Sequence, residues 1–172
     1  MTVTVYGTGT LRAVAVDNRS FVLNPVPGLV VSRRERGFRA DLTASGEAVS
    51  RVRELTRAMP ASHGTDESLA ESAELVVSEL VANAVRASGP NAVVPLVVEV
   101  LVALPGTPGI EVIVHDAAPG QPHRGEASLD SAEAESGRGL GILAALTDGW
   151  TVEPSTEPTF NKMIRCRVSR AE

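Results

Sequence analysis

From residue 38 onward the apolar positions fall into clear periods. Phe38, Ala40 and Leu42 alternate with polar neighbours, which predicts a strand. Val49, Val52, Leu55 and Met59 then recur at helical spacing behind Thr43 or Ser45, either of which can cap the helix, and Pro60 is expected to end it. Asp66 or Ser68 caps a second, longer helix. In it Leu69, Ala73, Val76, Val77, Leu80 and Ala84 keep one register to about Ala87, where Gly89-Pro90 stops it. A strand beginning near Leu96 and another over Ile110–Asp116 flank the turn Pro105–Gly109, which predicts a hairpin with a five-residue loop. Residues 117–136 show no apolar period and carry Glu126, Asp130, Glu133 and Glu135. A stretch of that length inside a small domain is a functional lid or a disordered segment. A helix over Leu140–Leu146 and strands over Trp150–Val152 and Lys162–Ser169 complete the pattern.

The order is β, α, α, β, β, lid, α, β, β. It predicts an α+β fold: a two-layer sandwich of a mixed, mainly antiparallel sheet with helices on one face. Strands and helices do not alternate, which argues against a doubly wound dinucleotide fold. Residues 37–170 are expected to form this domain. In 1–36 only Val3, Val5, Leu11, Val14 and Val16 alternate, and weakly, so this N-terminal arm is either short strands or partly disordered.

Composition narrows the function. The 172 residues are enough for one core. Net charge is −5 and the only basic cluster, Arg33, Arg34 and Arg36, includes Glu35, so no nucleic-acid face is expected. Only five aromatics occur, Tyr6, Phe21, Phe38, Trp150 and Phe160, too few for a base-stacking platform. The single cysteine, Cys166, excludes an internal disulfide and reads as core. No apolar run reaches the roughly 20 residues of a membrane span, and the N-terminus lacks a secretory pattern, so the expected location is cytoplasmic. Fifteen of the sixteen basic residues are Arg; the exception is Lys162.

Three features could carry chemistry. Glu79 and Asn83, at i and i+4, project side by side from the flank of the core stripe. They are a solvent-facing helix-rim pair or a metal-ligating amide beside a carboxylate base. Asp116 shares a strand face with Ile110, Val112 and Val114. It either caps the following turn or is a buried acceptor for the polar edge of a ligand. Gly137-Arg138-Gly139-Leu140-Gly141 opens a helix, where free backbone N–H groups can meet an anion. This run does not follow a strand and has no Lys-Ser/Thr after it, so it is neither a dinucleotide fingerprint nor a Walker A loop. His63, His115 and His123 lack metal spacing, and a triad of Ser78, His115 and Asp116 lacks a nucleophile elbow.

The order of these features is more specific than any one of them. Glu79-Leu-Val-Ala-Asn83-Ala-Val-Arg86, then Val114-His-Asp116-Ala-Ala-Pro-Gly120, then Gly137-Arg-Gly139-Leu-Gly141-Ile resembles the layout of the Bergerat-fold (GHKL) ATPases. Phe38-Arg-Ala-Asp-Leu at the start and Leu-Thr-Asp-Gly-Trp150 near the end make the chain similar to the anti-sigma-factor serine/threonine kinases of that superfamily. The resemblance covers roughly residues 37–169.

That resemblance implies a role for each residue. Asn83 coordinates Mg²⁺ that bridges the triphosphate, and Glu79 polarises the attacking hydroxyl or water. Asp116 accepts the adenine amine and Gly120 lets the base approach. Gly137, Gly139 and Gly141, with Leu140 between them, wrap the phosphates beneath a lid formed by 117–136. With a single lysine, the remaining phosphate charge falls to Arg138 or Arg86. The cofactors implied are ATP and Mg²⁺. The activity implied is phosphorylation of a small anti-sigma-antagonist protein together with control of a sigma factor, with homodimerisation and without direct nucleic-acid or membrane contact. The chain departs from the family pattern at Ala118, where the first Gly of an Asp-x-Gly-x-Gly box belongs, at Ala87, and in Phe160-Asn161-Lys162, where Gly is frequent. These departures motivate the alternative: a protein-binding module of the same fold that binds nucleotide weakly or not at all.

Overall fold

The computed structural model describes residues 25–103, 109–118 and 141–169. Its elements are β1 (Leu29–Arg34), β2 (Gly37–Thr43), α1 (Gly46–Ser62), α2 (Glu67–Ser88), β3 (Pro95–Val102), β4 (Ile110–Asp116), a short helix α3 (residues 141–146), β5 (Thr147–Pro154) and β6 (Lys162–Val168). Six strands form one sheet in the order β1-β2-β3-β4-β6-β5. Where a mixed, mainly antiparallel sheet was expected, all five neighbouring pairs are antiparallel. The fold is α+β, as its pattern predicts.

Period 2 along each strand decides what faces the helices. Phe38, Ala40 and Leu42 of β2, Leu96, Val98 and Val100 of β3, Ile110, Val112 and Val114 of β4, and Ile164, Cys166 and Val168 of β6 share one core with the helices. Val52, Leu55 and Met59 of α1 and Val76, Val77 and Leu80 of α2 supply the other layer. Each buried Val, Leu, Ile, Phe or Met among them contributes roughly 1.5–3 kcal/mol. β1 extends the sheet through a hairpin that pairs Leu29 with Leu42 and Arg34 with Gly37.

The helix ends follow their capping chemistry. Ser45 Oγ accepts the Ala48 N–H at 3.1 Å, and Asp66 accepts the Ser68 N–H at 2.9 Å. Pro60 does not end α1; it lies inside the last turn, two residues before the end. A proline so near the C-terminus forfeits one backbone bond. The carbonyl groups around it are taken up by Ser62 Oγ, which donates to Met59 O, and by the His63 and Thr65 N–H groups, which donate to Pro60 O. The fifth strand is longer than its apolar core, Trp150–Val152, because a register shift between Thr147 and Trp150, with Gly149 at φ +151°, lets pairing continue.

Gly37 begins β2 where that strand crosses β3 closely. A Cβ there would lie 1.9 Å from the Val100 carbonyl oxygen. Gly37→Ala is therefore expected to destabilise the fold by about 1–3 kcal/mol through backbone displacement, as read from the urea midpoint.

Candidate functional site

The site is built on one flank of α2 and at one end of the sheet. Glu79, Asn83 and Arg86, at i, i+4 and i+7, lie on the same side of α2 beside the buried Val76, Leu80 and Ala84. The Glu79 side chain is 26% exposed and that of Arg86 46%, while Asn83 is half-buried. Arg86 Nη2 donates to Asn83 Oδ1 and lies 3.9 Å from Glu79 Oε2. The three groups expected to serve the phosphate end are thus in mutual reach, on a helix packed against β4 and β6.

Asp116 closes β4 on the face shared with Ile110, Val112 and Val114, and its side chain is only 3% exposed. The turn-capping reading holds, on a carboxylate that is also buried. It caps the turn, with Oδ1 accepting the Ala118 N–H at 2.9 Å, and it is a buried acceptor. The register places Lys162 of β6 opposite it. Lys162 Nζ lies 2.8 Å from Asp116 Oδ1 and donates to Ala118 O at 2.6 Å. The sequence marks Lys162 only as the single lysine of the chain; the structure puts it on the buried carboxylate. The signal that could have found it is its singularity, one lysine among sixteen basic residues, but only the β4–β6 pairing supplies the partner.

The β5–β6 loop fixes this end from the opposite face of the sheet. Asn161 donates its N–H to Asp116 O and its Nδ2 to Ala117 O. Glu157 reaches back to Arg39 of β2, with Nη1 to Oε1 2.5 Å, and Arg39 also holds Asp41. His115, buried on that face, contacts Ser155 Oγ through Nδ1 at 2.9 Å, and its Nε2 lies 3.6 Å from Glu99. Adjacent residues of a strand point to opposite faces, and Ser78 donates to Glu74 O, so Ser78, His115 and Asp116 form no triad.

The Arg39 bond holds the Glu157 carboxyl below its ordinary value. A carboxylate whose pKa falls on folding stabilises the fold above its unfolded pKa and loses that contribution as pH drops through the folded value. Glu157→Gln is therefore expected to be less stable than the parent chain at pH 7, by under about 1 kcal/mol. The gap should close in acid, below the ordinary glutamate value of about 4.3, in parallel urea titrations. Burial pushes the Cys166 thiol up to about 12, so it is a packed, unreactive thiol, in keeping with its place in the core.

No group of three or more His, Cys, Asp or Glu that could hold a metal occurs among the described residues. A dedicated all-protein cage is not what Mg²⁺ requires. It keeps waters and takes one or two protein oxygens together with substrate phosphates. Asn83 Oδ1, an uncharged oxygen donor beside a carboxylate, fits that chemistry. Gly141 opens α3 and is exposed, and a Cβ there would meet nothing. Gly120, Gly137, Arg138, Gly139 and Leu140, and most of the expected lid, lie outside the described residues.

Residues 42–164 match the profile of the histidine kinase-like ATPase domain. That span contains Glu79, Asn83, Asp116, Gly141 and Lys162. A search of curated proteins found no match. No helix among the described residues is long and apolar enough to cross a membrane.

Proposed function

The chain belongs to the family of histidine kinase-like ATPase domains, which implies ATP binding, and from that premise we propose that it is an ATP–Mg²⁺-dependent serine/threonine kinase acting on a small regulatory protein. The observation that carries the proposal is the placement of Glu79 and Asn83 side by side on the flank of α2, in a chain of this family. In this reading the protein is a cytoplasmic regulator whose substrate antagonises an anti-sigma activity, and it controls a sigma factor by direct binding, as a possible homodimer.

Each residue then has a physical task. Asn83 Oδ1 would hold Mg²⁺, which would neutralise charge on the phosphates. That oxygen accepts from Arg86, whose positive charge the ion would repel, so Arg86 would then turn to the phosphates. Glu79 accepts the proton of the attacking hydroxyl. Asp116 accepts the amine of the base, and the resemblance assigns the phosphates to Gly137, Arg138, Gly139 and Gly141. Phosphoryl transfer needs positioning and charge neutralisation more than covalent chemistry, and these groups supply both.

The test is a thermal shift with a non-hydrolysable ATP analogue, with and without Mg²⁺. Mg²⁺-dependent stabilisation, worth roughly 2.7 kcal/mol at one hundred times Kd, is the expected result. No shift at millimolar nucleotide would overturn the kinase reading. The outcome would then favour the second reading, a nucleotide-free protein-binding module, for which the Lys162 ammonium already seated on Asp116 is the supporting observation.

A further inference from the structure

Lys162 is an exception twice over. It is the only lysine in a chain that uses arginine at every other basic position, and its charge is largely buried, with a side chain 12% exposed against one 3% exposed. Stability does not explain such a pair, because a buried ion pair is often no better than an apolar pair of the same volume. The difference between the two cations is one of shape. A guanidinium fork takes both oxygens of a carboxylate, whereas an ammonium is a point donor.

Lys162 Nζ lies 2.8 Å from Asp116 Oδ1. Asp116 Oδ1 also takes the Ala118 N–H, and among the described residues Oδ2 takes no hydrogen bond. An ammonium has three N–H donors. One goes to Ala118 O, and the ammonium lies 2.8 Å from Asp116 Oδ1, so at least one donor is left among the described residues. Among the described residues the end of the sheet therefore presents an acceptor and a donor side by side with no partner, held from below by Asn161.

We infer that Lys162 reads the nucleotide base jointly with Asp116, donating to ring nitrogen N1 while Asp116 Oδ2 accepts the neighbouring 6-amino group. This rests on the proposed function, in which Asp116 meets the base. Adenine carries an amine donor next to an N1 acceptor, which complements the pair. A 6-oxo purine in the same seat sets its carbonyl against the carboxylate and its N1–H against the ammonium. Lys162 is thus a specificity-determining residue that admits ATP and rejects GTP and ITP.

The test uses calorimetric titration of the full chain with Mg²⁺ and ATP, 1-deaza-ATP (which lacks N1) or ITP. The intact protein should bind ATP about 10- to 100-fold more tightly than 1-deaza-ATP, the worth of one hydrogen bond to a charged donor. In Lys162→Met that gap should vanish. Equal binding of ATP and 1-deaza-ATP by the intact chain overturns the inference while leaving the kinase reading in place, and needs no variant to fold. Tighter ATP binding by Lys162→Met also overturns it, since Lys162 would then compete with the base. Absence of binding by every nucleotide overturns the kinase reading and the inference with it.

Discussion

Asn83→Ala is expected to abolish the Mg²⁺-dependent stabilisation of the protein by ATP. At a ligand concentration one hundred times Kd the parent chain gains roughly 2.7 kcal/mol, which for a domain of this size is a shift of about 5–10 °C. Mg²⁺ would draw only one or two oxygens from the protein, so removing Asn83 Oδ1 would leave the ion held mainly by the triphosphate. If Kd rises about 100-fold, the same nucleotide concentration yields only about 0.4 kcal/mol, a shift near 1 °C. The unliganded protein supplies the internal control. Among the described residues the Asn83 side chain bonds only Arg86, and Ala is the better helix former. The variant should therefore unfold at or slightly above the parent temperature without nucleotide. A fall in that temperature would mean that Asn83 has a structural role. An undiminished ATP shift would remove it from the metal site.

Glu79→Gln is expected to separate binding from chemistry. A positioned general base contributes about 10²–10⁴-fold to transfer, and the amide retains the size of the side chain but not its basicity. Single-turnover transfer of the γ-phosphoryl group should fall by that factor. Nucleotide affinity should hold or improve, because a carboxylate near the phosphates repels them. Loss of Glu79 also removes the 3.9 Å partner of Arg86, which then pairs with phosphate more readily. Equal losses in affinity and rate would assign Glu79 to the architecture of α2 and leave the base unidentified.

These two predictions rest on a cluster that was legible in one dimension. Glu79, Asn83 and Arg86 are near neighbours on a helix because 3.6 residues make a turn, and the apolar stripe from Leu69 to Ala84 already indicated which flank they occupy. The same holds for Asp116, whose parity with Ile110, Val112 and Val114 put it on the core face of β4. Local misreadings had local causes. Pro60 remains inside α1 because one lost bond near a helix end is tolerated, and β5 outruns its apolar residues because a shifted register keeps the ladder going.

What the sequence determined by itself is therefore what short periods determine: the helices, the strands from residue 37 onward, the α+β class, and the side on which Glu79, Asn83, Arg86 and Asp116 stand. The tertiary structure alone decided which distant residues meet. Lys162 reaches Asp116, 46 positions earlier, only because β6 rather than β5 pairs with β4. Glu157 reaches Arg39 only because the β5–β6 loop crosses the outer face of the sheet. Strand order and register come from the summed packing of two layers, where each contact is weak and only the complete set favours one arrangement, so no window of sequence contains them.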